Sequence, residues 1–147
     1  MLASAEKRII LSTLNARYMH TAFGLRYLYA NLGGLQSCAC IQEFTIQQRP
    51  IDIAEKLLEQ QPAIIGFGVY IWNVTEISKT VEILKQVSPQ TIIVLGGPEV
   101  SHLPDTPDVA ATADYVIMGA AEQSFRELCE AVLAGRRPLD RVIQSVE

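Results

Sequence analysis

Five short β-branched runs alternate along the chain with longer segments whose apolar residues recur at helical spacing. That alternation is the pattern of a parallel sheet with helices on both faces. The runs are residues 8–14 (RIILSTL), 37–46, 63–69 (AIIGFGV), 91–95 and 115–118. Between the first two, residues 21–32 place Leu25, Leu28 and Leu32 on one helical face, and Gly33-Gly34 ends that segment. Pro50 opens a second helix at its first turn, with Ile53, Leu57 and Leu58 inward and Pro62 at its end. A third helix spans residues 75–87, with Thr75 as N-cap and Ile77, Val81 and Leu84 on the buried side. The last carries Phe125, Leu128, Val132 and Leu133 at a 3.6-residue period and is capped by Gly135. The expectation is a three-layer, doubly wound, five-stranded parallel α/β sheet.

The chain has 147 residues, 49% hydrophobic and 19% charged, enough for one sizeable core and so for one domain. No apolar run approaches the roughly 20 residues that span a bilayer, which gives an expectation of no membrane contact. With 16 acidic against 12 basic side chains, a formal charge of −4 argues against a binder that neutralises many nucleic-acid phosphates. Three cysteines, Cys38, Cys40 and Cys129, are too few for a disulfide framework and show no second pair or histidine cluster for a metal. They read as core residues in a reducing, cytoplasmic setting. The first ten residues hold no stretch long enough for the hydrophobic part of a signal peptide. Residues 136–147 shift in composition, with Arg136, Arg137 and Arg141 around Pro138, and read as a linker following a domain at 1–135.

In an open parallel α/β sheet the ligand lies at the carboxyl ends of the strands. Four loops qualify: Asn15-Ala-Arg-Tyr-Met-His20, Tyr70-Ile-Trp-Asn73, Gly96-Gly-Pro-Glu99 and Gly119-Ala-Ala-Glu122. Gly66 and Gly68 are two apart on an apolar strand and should share one face; with Gly96 and Gly97 on the next strand they form a candidate slot. The alternative for each pair is close helix packing or a tight turn. Tyr70 and Trp72 either lie flat against a planar ligand or cover the sheet edge. His20 is a candidate for a metal or phosphate, or an ordinary residue ahead of a helix. Gly-x-Gly-x-x-Gly after the first strand and the Walker phosphate loop are both absent, as is a Ser-His-Asp or Cys-His arrangement. The end of the first strand is Leu14-Asn15 and that of the third is Val69-Tyr70, where a phosphate-accepting receiver domain would place acids.

Phe23-Gly-Leu-Arg-Tyr-Leu, Ile65-Gly-Phe-Gly-Val-Tyr, Ile93-Val-Leu-Gly-Gly-Pro-Glu-Val-Ser101 and Ala113-Asp-Tyr-Val-Ile-Met-Gly119 occur in this order. Together they resemble the cobalamin (vitamin B12)-binding N-terminal domain of radical S-adenosylmethionine (SAM) proteins, over nearly the whole chain. The widespread cobalamin motif is Asp-x-His-x-x-Gly; this chain has no aspartate before His20 and one extra residue before Gly24. The resemblance implies a flavodoxin-like or Rossmann-like cobalamin-binding fold that holds the cofactor without a protein histidine on cobalt. It further implies that Gly68, Tyr70, Gly96 and Gly97 line the groove for the nucleotide tail. Asn15, Tyr18, His20, Trp72, Asn73, Glu99 and Gly119 would complete the cofactor's surroundings. A 4Fe-4S cluster and SAM would belong to a C-terminal radical SAM domain of the same polypeptide, of methyltransferase or ring-forming chemistry, with no catalytic residue in this chain. The alternative is a degenerate domain of the same fold that has lost the cofactor and serves as a docking or substrate-gating module.

Overall fold

The computed structural model describes residues 8–16, 23–100 and 108–145. Among them six strands form one parallel sheet: β1 (Ile9–Asn15), β2 (Ala39–Thr45), β3 (Ile64–Gly68), β4 (Ile92–Gly96), β5 (Tyr115–Met118) and β6 (Val142–Gln144). Their spatial order is β2-β1-β3-β4-β5-β6. The crossovers carry α1 (Phe23–Ala30), α2 (Pro50–Leu58), α3 (Val74–Val87), α4 (Val109–Thr112) and α5 (Glu122–Leu133). From β1 the chain winds outward to β2 and then returns past β1 to β3, so the strand order reverses between β1 and β3.

Strands β1, β3, β4 and β5 divide their side chains between two cores. Ile10, Leu14, Ile65, Phe67, Ile93 and Leu95 pack under α2, α3 and α4 with Ile53, Leu57, Ile77, Val81, Leu84 and Val109. The alternate residues Ile9, Leu11, Ile64, Ile92, Val94 and Ile117 pack under α1 and α5 with Leu25, Phe125, Leu128, Cys129 and Val132. Burial on both faces explains why these strands read as continuous apolar runs. Cys129 is fully buried, and desolvation, followed by the charges of Cys38 and Glu130, pushes its thiol up, so that it stays protonated.

The doubly wound parallel architecture is the one expected, with one strand more. Val142–Gln144 pairs with β5, from Val116↔Val142 to Met118↔Gln144, inside the segment expected to be a linker. Three residues at an exposed edge give no alternation to read. Two of the arginines there have fixed partners: Arg137 donates to Val132 O at 3.2 Å, at the end of α5, and Arg141 donates to Ala111 O at 3.2 Å. Cations on the last carbonyls of helices complete groups the helix itself leaves unpaired. The second strand begins at Ala39 because residues 33–38 wind into a 3-10 turn, which leaves Cys38 outside the strand that holds Cys40. The cap of α3 is Asn73 rather than Thr75, and its carbonyl takes the Ile77 N–H at 2.9 Å.

One partly buried ion pair anchors the end of the sheet opposite the candidate loops. Asp114 Oδ2 accepts from Lys85 Nζ and from the Ile93 backbone N–H, both at 2.8 Å, while Lys85 also donates to Pro89 O and Thr91 O at 2.9 Å. Asp114→Ala is expected to lower stability by about 2 kcal/mol, because an N–H of the central strand β4 loses its acceptor. The measurement is the denaturant midpoint at an unchanged slope; an unchanged midpoint would show that water replaces the carboxylate at no cost.

Candidate functional site

At the carboxyl ends of β3, β4 and β5 lies a cavity of about 180 Å³, between α1 and α5. Gly24, Leu25 and Leu28 of α1 form one wall, Phe125 and Glu122 of α5 the other, and Gly66, Gly68, Gly96 and Gly97 the floor. Gly119, Ala120 and Ala121 close the β5 end. The apolar wall residues come from the same helical faces that build the core, so the slot is a gap in that core where the strands lack side chains.

The four floor glycines do different things. A Cβ on Gly66 would stand 3.0 Å from the Phe125 ring and 3.4 Å from Leu11, so this glycine is the seat of the α5 aromatic. On Gly68 it would meet the Tyr70 ring at 3.3 Å and Thr13 Oγ1 at 3.6 Å. Both point to the α1/α5 side, as their spacing requires. Gly96 is the register partner of Gly68, yet the nearest atom to its Cβ would be Ile117 O at 3.9 Å, which leaves open slot above it. Gly97, at φ +108°, crosses so close to Val69 that a Cβ would lie 2.6 Å from Val69 O.

Tyr70 spans the mouth. Besides its contact at Gly68, its hydroxyl lies 3.5 Å from the Cβ position of Gly24, and its ring stacks on Trp72 with centroids 4.6 Å apart and planes 4° from parallel. The indole Nε1–H donates to Leu14 O at 3.3 Å. Asn73 is completely buried beneath them: Nδ2 donates to Leu14 O at 3.0 Å, Thr13 Oγ1 at 3.1 Å and Gly68 O at 3.3 Å, and Oδ1 accepts the Tyr70 N–H at 2.8 Å.

Of the residues singled out from the sequence, Gly68, Tyr70, Gly96, Gly97 and Gly119 line the cavity. Trp72 and Asn73 adjoin it through Tyr70 rather than line it. Asn15 points to the β2 side, where its Nδ2 donates to Glu43 Oε1 at 2.8 Å beside the Arg26–Glu43 pair at 3.6 Å. Glu99 follows the Gly97 turn and gives its backbone N–H to Val69 O at 3.3 Å. Tyr18 and His20 lie outside the described residues. The wall residues Gly24, Leu25, Leu28 and Phe125 are additions; helical period marked the last three as core, where they pack, and only the missing strand side chains opposite turn them into walls.

The model of the B12 binding domain matches residues 10–129. The chain therefore belongs to that family. A 2-(S-pantetheinyl)-carbapenam-3-carboxylate methyltransferase of Streptantibioticus cattleyicolor is 31% identical over 104 residues, 65% of this chain and 15% of that protein. The cobalamin-dependent radical SAM methyltransferase TokK of Streptomyces tokunonensis is 28% identical over 134 residues, 86% of this chain and 19% of that protein. The chain thus spans less than a fifth of either relative. A cobalamin-binding protein from Desulfitobacterium hafniense, solved as a crystal structure, superimposes with a TM-score of 0.57 at 20% identity, over 84% of this chain and 58% of that one. Among the described residues no helix is long and apolar enough to cross a membrane.

Proposed function

We propose that this chain is the cobalamin-binding domain of a B12-dependent radical SAM enzyme of the methyltransferase type, with the cofactor's nucleotide tail in the α1/α5 slot. The observation that carries the tail assignment is Gly96, an open floor position that any Cβ would begin to fill. A cavity of about 180 Å³ is smaller than the roughly 300–1,000 Å³ that encloses a whole small molecule. It takes the slender end of a large ligand and leaves the bulk on the carboxyl edge, where the stacked Tyr70 and Trp72 rings stand. When bound, cobalamin supplies the transfer of a carbon group carried on cobalt. The residues of this chain bind and orient it: Leu25, Leu28 and Phe125 give the tail apolar walls and exclude water. The iron–sulfur cluster and SAM belong to a separate domain of the same polypeptide.

Hydroxocobalamin titrated into the purified chain is expected to shift its visible spectrum and to co-elute with the protein on gel filtration, with a Kd of about 10 μM or tighter. A spectrum unchanged at high micromolar cofactor would overturn the reading and leave a domain of this fold that acts as a docking or gating surface.

A further inference from the structure

The crevice between β1 and β3, where the strand order reverses, is the usual ligand position of a doubly wound sheet. In this chain Asn73 and Trp72 fill it. The strand ladder between β1 and β3 stops at Ser12↔Phe67, and side chains take over beyond that point. Thr13 Oγ1 donates to Gly68 O at 2.7 Å, and Asn73 Nδ2 reaches Thr13, Leu14 and Gly68 at once. The same residue's Oδ1 holds the Tyr70 backbone, and the Trp72 indole shares the Leu14 carbonyl. Each of these is a buried or half-buried polar contact with no room for a substitute partner, since Asn73 is 0% exposed.

We propose that Asn73 is a positioning residue: its amide closes the switch-point crevice and locks the 70–73 loop so that the Tyr70–Trp72 stack stands over the slot mouth. This rests on the cobalamin reading of the slot, and it goes beyond it by assigning the loop's geometry to one amide. A side chain lacking either half fails. Loss of Nδ2 removes its bonds to Thr13, Leu14 and Gly68 at the ends of β1 and β3, and loss of Oδ1 frees the Tyr70 N–H. The consequence is a ligand seated over β3 to β5 rather than between β1 and β3, with the aromatic pair prearranged before the ligand arrives.

The test uses Trp72 as a built-in probe, because it is the chain's one tryptophan. Asn73→Ala and Asn73→Asp are compared with the natural chain and with Tyr70→Leu, without cofactor, by tryptophan emission, acrylamide quenching and near-ultraviolet circular dichroism. Far-ultraviolet dichroism reports the fold. Both Asn73 variants are expected to keep the fold, red-shift Trp72, raise its quenching at least twofold and lose the near-ultraviolet signal. With hydroxocobalamin, Asn73→Ala is expected to weaken binding at least tenfold in the natural background and less than twofold in the Tyr70→Leu background. Non-additivity of this kind is the mark of a residue acting through another. Natural Trp72 signals in both variants would overturn the proposal, and so would an equal loss of affinity in the two backgrounds. Loss of the far-ultraviolet signature in both variants would also overturn it and reduce Asn73 to a folding role. A natural chain that binds no cobalamin defeats the cofactor reading, while the Trp72 signals still decide whether Asn73 sets the loop.

Discussion

Gly97→Ala is expected to cost about 3 kcal/mol of stability. Two separate physical effects add. A φ of +108° lies outside what an L-residue adopts without strain, at about 1–3 kcal/mol. The added Cβ would also stand 2.6 Å from Val69 O and 2.9 Å from Val69 N, and both are backbone atoms that cannot swing aside. They are held besides: the Val69 N–H donates to Gly96 O at 2.8 Å, and Val69 O accepts from Glu99 at 3.3 Å. Moving the turn away therefore breaks the bonds that join β3 to β4 at the slot floor. Chemical denaturation checks this; a loss below about 1 kcal/mol would show that the turn relaxes into another backbone shape.

One residue earlier, Gly96→Val is expected to leave the fold intact and remove the cofactor. The position is the last of β4, where a β-branched residue is at home, and the nearest atom to its Cβ is 3.9 Å away. Its side chain would enter the slot from the floor. Cobalamin affinity is expected to fall more than 100-fold, about 2.7 kcal/mol, with the denaturant midpoint close to that of the natural chain. Titration of hydroxocobalamin into the variant tests it, and unweakened binding would place the tail elsewhere. The adjacent glycines of one dipeptide are thus separable by experiment, Gly97 through stability and Gly96 through binding.

The sequence made the architecture readable wherever burial was strong enough to leave a period. β1, β3, β4 and β5 fall within one or two residues of the apolar runs, and the two-residue spacing of Gly66 and Gly68 places them on one face of β3. Weakly buried elements left no such trace. α4 has four residues, and β6 three with two exposed, so neither carries enough apolar surface to set a pattern. At the slot, composition pointed to the right loops but could not assign work within them. Gly66 and Gly96 read alike as letters, yet the first is occupied by Phe125 and the second is open, a distinction set by a helix some 60 residues away in the chain. Asn73 looked like a group awaiting a ligand; its four contacts come from residues 13, 14, 68 and 70, and only the strand order 2-1-3 brings them together.

The place of β1 in the sheet also bears on how the chain is made. Of the domain's six strands it is made first, yet it is an interior strand, flanked by β2 on one side and β3 on the other. Its contact with β3 spans 55 residues, from Ile9 to Ile64, which at ordinary synthesis rates takes about 3–11 s to bridge. During that interval a seven-residue strand that is almost wholly buried in the finished domain waits with one edge unpaired. The same interior strand that organises the site is therefore a segment in need of protection on the nascent chain.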